Sequence, residues 1–481
     1  MIRDHEFDNY RGKNVLVMGL GSFGGGIGAV RYLIERGARV TVTDLRPIEK
    51  LSESLSELRT TPPDRLVLGA HHEDDFRSAE LVVVNPAVKR EGPYLNAAIQ
   101  AGVPITSEMN LFWQKNPAPV VAVTGSNGKS TTTAMTHAII RQYLAQQPGR
   151  RTWLGGNIGT SLLPQVDQIQ PTDIVVLELS SFQLADLDRL QVSPHVAVVT
   201  NFAPNHLDWH PDLDDYRRSK QAILRWQSVQ DIAVLNDDDP DVSAWVTNGK
   251  RLGFGLNDDG SIGAHLHHRD AVIRVVGQEM HWPLRNWLRL PGLHNVCNAL
   301  AAIAAASSLG ADQTAAQTAI ENYEPLPHRL QLVAEVAGRR FYNDSLATTP
   351  ESASVALAAF EAPIVLLAGG YDKHVDLGQM ARDISARTKA VALMGQTAES
   401  LQQLISKHDR HQCLISAPQS SFSAAFEWAV DHSSPGDVIL LSPGCASYDW
   451  FRNFADRGSQ FVSLVENYAT KSSAMNSSKN R

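Results

Sequence analysis

Short apolar runs alternate with longer segments of helical period along most of the chain. Val15-Leu16-Val17-Met18, Val40-Thr41-Val42-Thr43 and Leu81-Val82-Val83-Val84 are rich in β-branched residues and spaced far enough apart to hold helices between them. Such alternation predicts a parallel sheet covered by helices. Asn116-Pro117-Ala118-Pro119 interrupts it, and Val120-Val121-Ala122-Val123 opens a second unit. That unit continues through Ile174–Leu177, Val196–Val199 and Ile232–Leu235, and from about Arg251 to Leu290 the runs shorten, which predicts a small antiparallel patch. The Ala-rich stretch Asn298–Leu309 predicts a packed helix, and Pro325-Leu326-Pro327 after it a hinge. A third unit then sets Ile364–Leu367, Val391–Met394 and Val438–Leu441 before glycine turns. The expected fold is α/β in three domains, 1–116, 117–325 and 326–470, with the polar residues 471–481 as a disordered tail.

Composition narrows the function classes. Lys and Arg total 43 against 51 Asp and Glu, a net charge of −8, so the molecule has no broad positive field for a nucleic-acid backbone. The three cysteines, Cys297, Cys413 and Cys445, are far apart, which argues against a disulfide framework or a thiolate zinc site. The N-terminal residues are acidic where a secretory leader is apolar, and no run approaches the roughly 18 apolar residues of a membrane span. The expectation is a cytoplasmic protein without nucleic-acid or membrane partners.

Two glycine clusters follow strands and open helices. Gly19-Leu20-Gly21-Ser22-Phe23-Gly24, with Asp44 closing the next strand, has the context of a dinucleotide-binding turn. There a helix N-terminus favours a pyrophosphate, Asp44 can accept from a ribose hydroxyl and Arg46 can pair with a phosphate. The same residues also fit a tight structural turn. Thr124-Gly125-Ser126-Asn127-Gly128-Lys129-Ser130-Thr131 is more specific, although Val123 stands where the strict Walker pattern has glycine. Backbone N–H groups of such a loop cradle phosphates, Lys129 neutralises the β/γ charge, and Ser130 or Thr131 can ligate Mg²⁺. Glu178 ends the buried run Ile174–Leu177, where carboxyl ends of strands gather ligands, and suits a Mg²⁺ role. His206-Leu207-Asp208-Trp209-His210 is ambiguous taken alone, and Lys220 reads as a solvated helix lysine.

Thr124–Thr131, Gly155-Gly156-Asn157-Ile158-Gly159, Leu177–Leu184, Asn205-His206-Leu207-Asp208, Gly292-Leu293-His294-Asn295 and Leu326-Pro327-His328-Arg329, taken together, resemble the Mur ligases of peptidoglycan synthesis. The match spans about residues 12–468, and with Leu441–Ser447 it points to the branch that adds D-glutamate to UDP-N-acetylmuramoyl-L-alanine. The resemblance implies a Rossmann-like N-terminal domain, a central P-loop-type ATPase domain with a mostly parallel sheet, and a Rossmann-like C-terminal domain. It implies a monomeric enzyme that uses ATP and Mg²⁺, with two ions expected, through an acyl phosphate. Lys129, His206 and Lys220 become catalytic, with Lys220 carbamylated, and Ser130, Glu178, His206 and Lys220 become metal ligands. Gly125, Ser126, Asn127, Gly128, Lys129, Ser130, Thr131, Asn295, Asn298, Arg329 and Asp344 fall on ATP, the last two from the third domain, whose closure would complete the site. Gly19, Gly21, Ser22, Phe23, Asp44, Arg46 and Asn157 fall on the UDP substrate, and Thr348, Lys373, Ser447, Tyr448 and Phe454 on D-glutamate.

Three departures from the family pattern stand out: Leu346 follows Asn343-Asp344-Ser345 where the family has Lys, the loop from His206 to Tyr216 is one residue short, and Leu45 replaces a more usual Thr. Competing readings are a related ligase using another amino acid or a folate, an NAD-dependent oxidoreductase resting on Gly19–Asp44, and a non-catalytic nucleotide-binding scaffold.

Overall fold

A computed structural model describes residues 9–21, 24–206, 209–275, 277–408 and 413–479, leaving aside the side chains of 474–479. Three sheets follow one another along the chain. In the first, β1 (Asn14–Met18), β2 (Arg39–Asp44), β3 (Arg65–Leu68), β4 (Leu81–Val84) and β5 (Ile105–Thr106) are all parallel, in the order β3-β2-β1-β4-β5. The runs around Val15, Val40 and Leu81 are therefore strands. β3 and β5, of four and two residues, are too short to stand out in the sequence.

The second sheet has nine strands: β6 (Val120–Thr124), β7 (Thr152–Gly156), β8 (Ile174–Glu178), β9 (Val196–Val199), β10 (Ile232–Asn236), β11 (Lys250–Gly255), β12 (Gly263–His267), β13 (Asp270–Val275) and β14 (Gln278–Trp282). Their order is β14-β13-β12-β11-β10-β9-β6-β8-β7. β6 and β8 are buried along their whole length, as central parallel strands covered on both faces must be. The antiparallel patch expected over 251–290 needs correction. β11 and β12 join the sheet in parallel, and only β12–β13 and β13–β14 pair antiparallel, so the segment extends the central sheet.

In the third sheet β15 (Gln331–Val336) pairs antiparallel with β16 (Arg339–Asn343), and β17 (Ile364–Ala368), β18 (Thr388–Leu393), β19 (Leu414–Ile415) and β20 (Val438–Leu441) complete the order β15-β16-β20-β17-β18-β19 with parallel pairings. The Ala-rich helix runs over Leu293–Ser308, and Ala299–Ala306 are fully buried. The expected disordered tail also needs correction, because the last helix, Phe454–Lys479, continues through most of it.

The chain divides into two compact units. One runs to Leu288 and includes Cys297–Tyr323, and the other comprises Arg289–Val296 and the chain from Glu324 onward. The division falls beside Pro325-Leu326-Pro327, and the first two sheets share a unit. Within that unit Arg90 pairs with Asp186 through a buried two-point ion pair, and Trp209 donates to the Ala87 carbonyl at 3.1 Å, both between the first sheet's loops and the central sheet's. No helix among the described residues is long and apolar enough to cross a membrane.

Candidate active site

The loop Thr124–Gly128 leaves β6 and enters the helix Lys129–Ala145. Its two glycines are required by geometry. Gly125 has φ +147°, and a Cβ there would stand 1.9 Å from Thr200 Oγ1; Gly128 has φ +78°, and a Cβ would meet Asn298 Oδ1 at 2.3 Å. The loop is braced by the end of neighbouring β9. Asn201 Oδ1 accepts Asn127 N–H at 2.8 Å, Thr200 Oγ1 donates to the Asn127 carbonyl at 2.6 Å, and Ser126 Oγ shares hydrogen bonds with Ala203 and Tyr216. Lys129 Nζ folds back on the loop, donating to the carbonyls of Gly125 and Ser126 at 2.9 Å each. Asn298 accepts from Thr132 Oγ1 at 3.3 Å, which puts this predicted ATP residue against the loop.

Glu178 lies opposite Val123 in the β6–β8 register. Asn157 Nδ2 donates to its Oε1 at 2.7 Å, while Oε2 is buried with no partner among the described residues. A buried carboxylate oxygen without a donor is costly unless a cation meets it. Lys220, read from sequence as solvated, is 1% exposed, and its Nζ donates to the Gly125 carbonyl at 2.7 Å. Burial drives its pKa well below the ordinary lysine value; the Lys129 charge pushes the same way, and Glu178 opposes both. No group of three or more His, Cys, Asp or Glu among the described residues could hold a metal by itself. The observation here that fits a cation is the buried Glu178 Oε2, which has no donor among the described residues.

His206 sits in the left-handed region at φ +55°, and its carbonyl accepts N–H groups of Trp209 and His210 at 3.0 and 2.9 Å. Leu207 and Asp208 lie outside the described residues. His210, which sequence left ambiguous, is buried and bonded at both ring nitrogens: Nδ1 to Asp215 Oδ2 at 2.8 Å and Nε2 to Ser181 Oγ at 2.9 Å. Ser181 opens the helix Ser181–Leu190, whose start is fixed by the Ser180/Gln183 capping box. The chain Ser181–His210–Asp215 thus anchors the segment carrying His206. Sequence offered only the spacing of the two histidines as a signal.

At the first sheet, Gly19 and Gly21 have φ +84° and +73°, as the motif requires. Asp44 Oδ2 accepts Leu20 N–H at 3.0 Å, and Arg46 pairs with Asp44 at 3.0 Å, so both side chains brace the turn. Burial pushes Asp44 up, but hydrogen bonds from Arg46 and Leu20 outweigh it and hold the carboxyl below its ordinary range. Ser22 and Phe23 lie outside the described residues. Asn157 lies at the end of the central sheet, where its own N–H donates to the Glu178 carbonyl at 2.8 Å.

In the second unit, Asn295 donates to the Pro291 carbonyl at 2.7 Å, and Arg329 Nε is buried without a partner among the described residues. Asp344 is buried; Oδ1 accepts Leu330 N–H at 3.1 Å and Oδ2 accepts Ser442 Oγ–H at 2.7 Å. Burial raises its pKa to about 7 despite these bonds. Thr348, Lys373, Ser447 and Tyr448 come from loops after β16, β17 and β20, three neighbouring strands. Lys373 and Tyr448 are exposed and Ser447 is buried, while Phe454 opens the last helix, its carbonyl accepting Ser345 Oγ–H at 2.7 Å.

Family models match in the same order as the sheets: a Mur ligase MurD-like N-terminal domain at 13–107, a Mur ligase middle domain at 123–306 and a Mur ligase glutamate ligase domain at 328–445. The chain is a Mur ligase. This Mur ligase is 40% identical to the UDP-N-acetylmuramoylalanine–D-glutamate ligase of Roseiflexus sp. (strain RS-1), over 95% of this chain and 99% of that one. It is also 40% identical to the same-named ligase of Symbiobacterium thermophilum, over 91% of this chain and 94% of that one. Among solved structures, UDP-N-acetylmuramate-alanine ligase from Thermotoga maritima superposes with a TM-score of 0.60 at 20% identity, covering 95% of the Mur ligase described here and 100% of that chain. The Thermotoga maritima MurF ligase in complex with ADP gives 0.55 at 17% identity, over 98% and 97%.

Proposed function

We propose that this Mur ligase joins D-glutamate to UDP-N-acetylmuramoyl-L-alanine at the expense of ATP, in peptidoglycan precursor synthesis. The reaction class rests on one observation: Glu178 Oε2, buried and without a partner among the described residues, beside a glycine loop that ends in Lys129. The substrate pair is supported by relatives of that name matching nearly end to end.

The L-alanine carboxylate is a poor acceptor until one oxygen becomes a leaving group. Transfer of the ATP γ-phosphoryl to that oxygen gives an acyl phosphate and ADP. The glutamate amine then attacks the acyl carbon, the new C–N bond forms, and the tetrahedral intermediate expels phosphate as the amine loses its proton. Loop N–H groups of Gly125–Thr131 and the Lys129 ammonium hold the β/γ-phosphates and oppose the charge that builds on transfer. Ser130, Glu178, His206 and Lys220 would hold Mg²⁺, with two ions expected, and the bound metal would supply further positive charge to the phosphates. Lys220 acts there as a carbamate, a reading supported by its burial and by Lys129, which favour the neutral amine that adds CO₂. Asn295, Asn298, Arg329 and Asp344 complete the nucleotide site, Gly19, Gly21, Ser22, Phe23, Asp44, Arg46 and Asn157 take the UDP substrate, and Thr348, Lys373, Ser447, Tyr448 and Phe454 take D-glutamate. A cytoplasmic monomer belongs to the same reading.

The test is phosphate release from Mg-ATP and UDP-N-acetylmuramoyl-L-alanine with D-Glu, L-Glu, L-Lys or meso-diaminopimelate supplied separately. Release with D-Glu alone supports the proposal. Release with another amino acid moves the specificity, and none with any overturns the reading.

A further inference from the structure

One charged side chain at the carboxyl ends of the third sheet's strands has no part in the scheme above. Arg457 lies in the first turn of Phe454–Lys479 and is 0% exposed. Its guanidinium is spent on loop carbonyls and one hydroxyl. Nε donates to Ser345 Oγ at 2.9 Å, Nη2 to the Ser345 carbonyl at 2.9 Å, and Nη1 to the carbonyls of Cys445 at 3.0 Å and Ala446 at 3.3 Å. The Ala446 carbonyl also accepts Tyr371 N–H at 2.8 Å, in an isolated bridge between the two residues.

Topology explains how one residue reaches two loops directly and a third through Ala446. β16, β20 and β17 are adjacent and parallel, so the chain leaves their carboxyl ends side by side, at 344–349, 442–449 and 369–373. Carbonyls there have run past their ladder partners, and a planar fork with five donors can satisfy several at fixed angles, which an ammonium cannot. Burial lowers the Arg457 pKa only to about 10, so it is charged at neutral pH and its hydrogen bonds are charge-assisted. The approach is tight: a Cβ on Gly370 would meet the Ala446 carbonyl at 2.3 Å and Arg457 Nη1 at 3.3 Å.

We propose that Arg457 is a positioning residue for the incoming amino acid, its guanidinium locking the loops that carry Thr348, Ser447 and Tyr448 and, through Ala446, the loop that carries Lys373. This rests on the ligase reading above. Ser345, which it grips twice, directly precedes Leu346, so the clamp lies under the position where the family pattern has Lys.

The experiment is steady-state kinetics of Arg457→Lys and Arg457→Ala, with each substrate varied in turn. Arg457→Lys keeps the charge and loses the fork. The expected result is a rise of about tenfold or more in the amino-acid KM, with the KM values for ATP and the UDP substrate within about twofold of wild type. Arg457→Ala is expected to be worse, and about 20 mM guanidinium chloride, refilling the vacated fork, to recover part of the loss where equal NaCl does not. An unchanged amino-acid KM with only kcat lowered, or parallel rises in all three KM values, overturns the proposal, since a merely structural residue would act that way. If Arg457→Ala does not fold, Arg457→Lys decides alone. If the wild type turns over with an amino acid other than D-Glu, the D-glutamate reading fails while Arg457 is judged on that amino acid's KM. No turnover with any amino acid sinks both.

Discussion

Replacing Asp344 by Asn should stabilise the protein, and by an amount that depends on pH. Asp344 is enclosed after β16, with Leu330 N–H on one oxygen and Ser442 Oγ–H on the other. Asn keeps the shape. Its Oδ1 still accepts from Leu330, and its Nδ2 donates to Ser442 once the hydroxyl turns to accept. What the substitution removes is the charge. The carboxyl titrates near 7 when folded, against 3.8 ordinarily, because burial disfavours the anion. With the folded pKa raised, the native state holds a proton that the unfolded chain has released. Its stability is greatest below the unfolded pKa and falls as pH rises through the folded one. At about 1.4 kcal/mol per pH unit, the penalty reaches about 4 kcal/mol above pH 8 and about 2 kcal/mol near pH 5.5.

Asp344→Asn lacks that penalty, so the difference between variant and wild type should climb from near zero at pH 4 to its plateau above pH 7. Equilibrium urea denaturation at half-unit pH intervals, followed by circular dichroism, reads it directly. A difference that stays flat with pH would show that Asp344 is ionised and paired when folded. A variant less stable than wild type at pH 8 would mean the same, with Arg329, whose Nε has no partner among the described residues, as the group to examine. The carboxylate that the scheme assigns to nucleotide binding is thus held at a cost to the fold, which is expected of functional sites.

Three further outcomes are expected. Lys129→Ala should leave the fold intact and lower turnover on the order of a hundredfold or more, because the transferring phosphoryl loses its nearest cation; activity above a few per cent would refute the loop assignment. Lys220→Met should abolish turnover yet hold or raise the unfolding free energy measured in urea, by up to about 3 kcal/mol, since it replaces a buried amine beside Lys129 with an apolar chain of similar length; a clear loss of stability would show that Lys220 is compensated by more than Gly125 and Thr124. Leu346→Lys should lower the amino-acid KM severalfold by restoring a cation beside Ser345, and an unchanged KM would show that Lys373 or another group already fills that role.

How much of this was legible depends on whether chemistry sits in one stretch of chain or between stretches. The strands around Val15, Val120, Val175 and Val438 announce themselves because parallel strands buried on both faces must be apolar without interruption. The loop 124–131 announces itself because glycine, Lys and hydroxyl stand together. β3 and β5 do not, being short and partly exposed. Nor does the continuation of the central sheet through β11 and β12, where alternation alone cannot tell a parallel pairing from an antiparallel one. Lys220 looks solvated beside its neighbours Arg217, Arg218 and Ser219, which give its helix a polar look. Its burial is set by β6, almost 100 residues earlier, and by the Gly125 carbonyl waiting there. Ser181 and Asp215 are equally silent in sequence, because their meaning lies in His210 between them. Arg457 is the extreme case. Each of its acceptors is backbone or a hydroxyl, so no partner residue type marks it, and only the adjacency of β16, β20 and β17 turns an ordinary helix arginine into the tie between two loops and, through Ala446, a third.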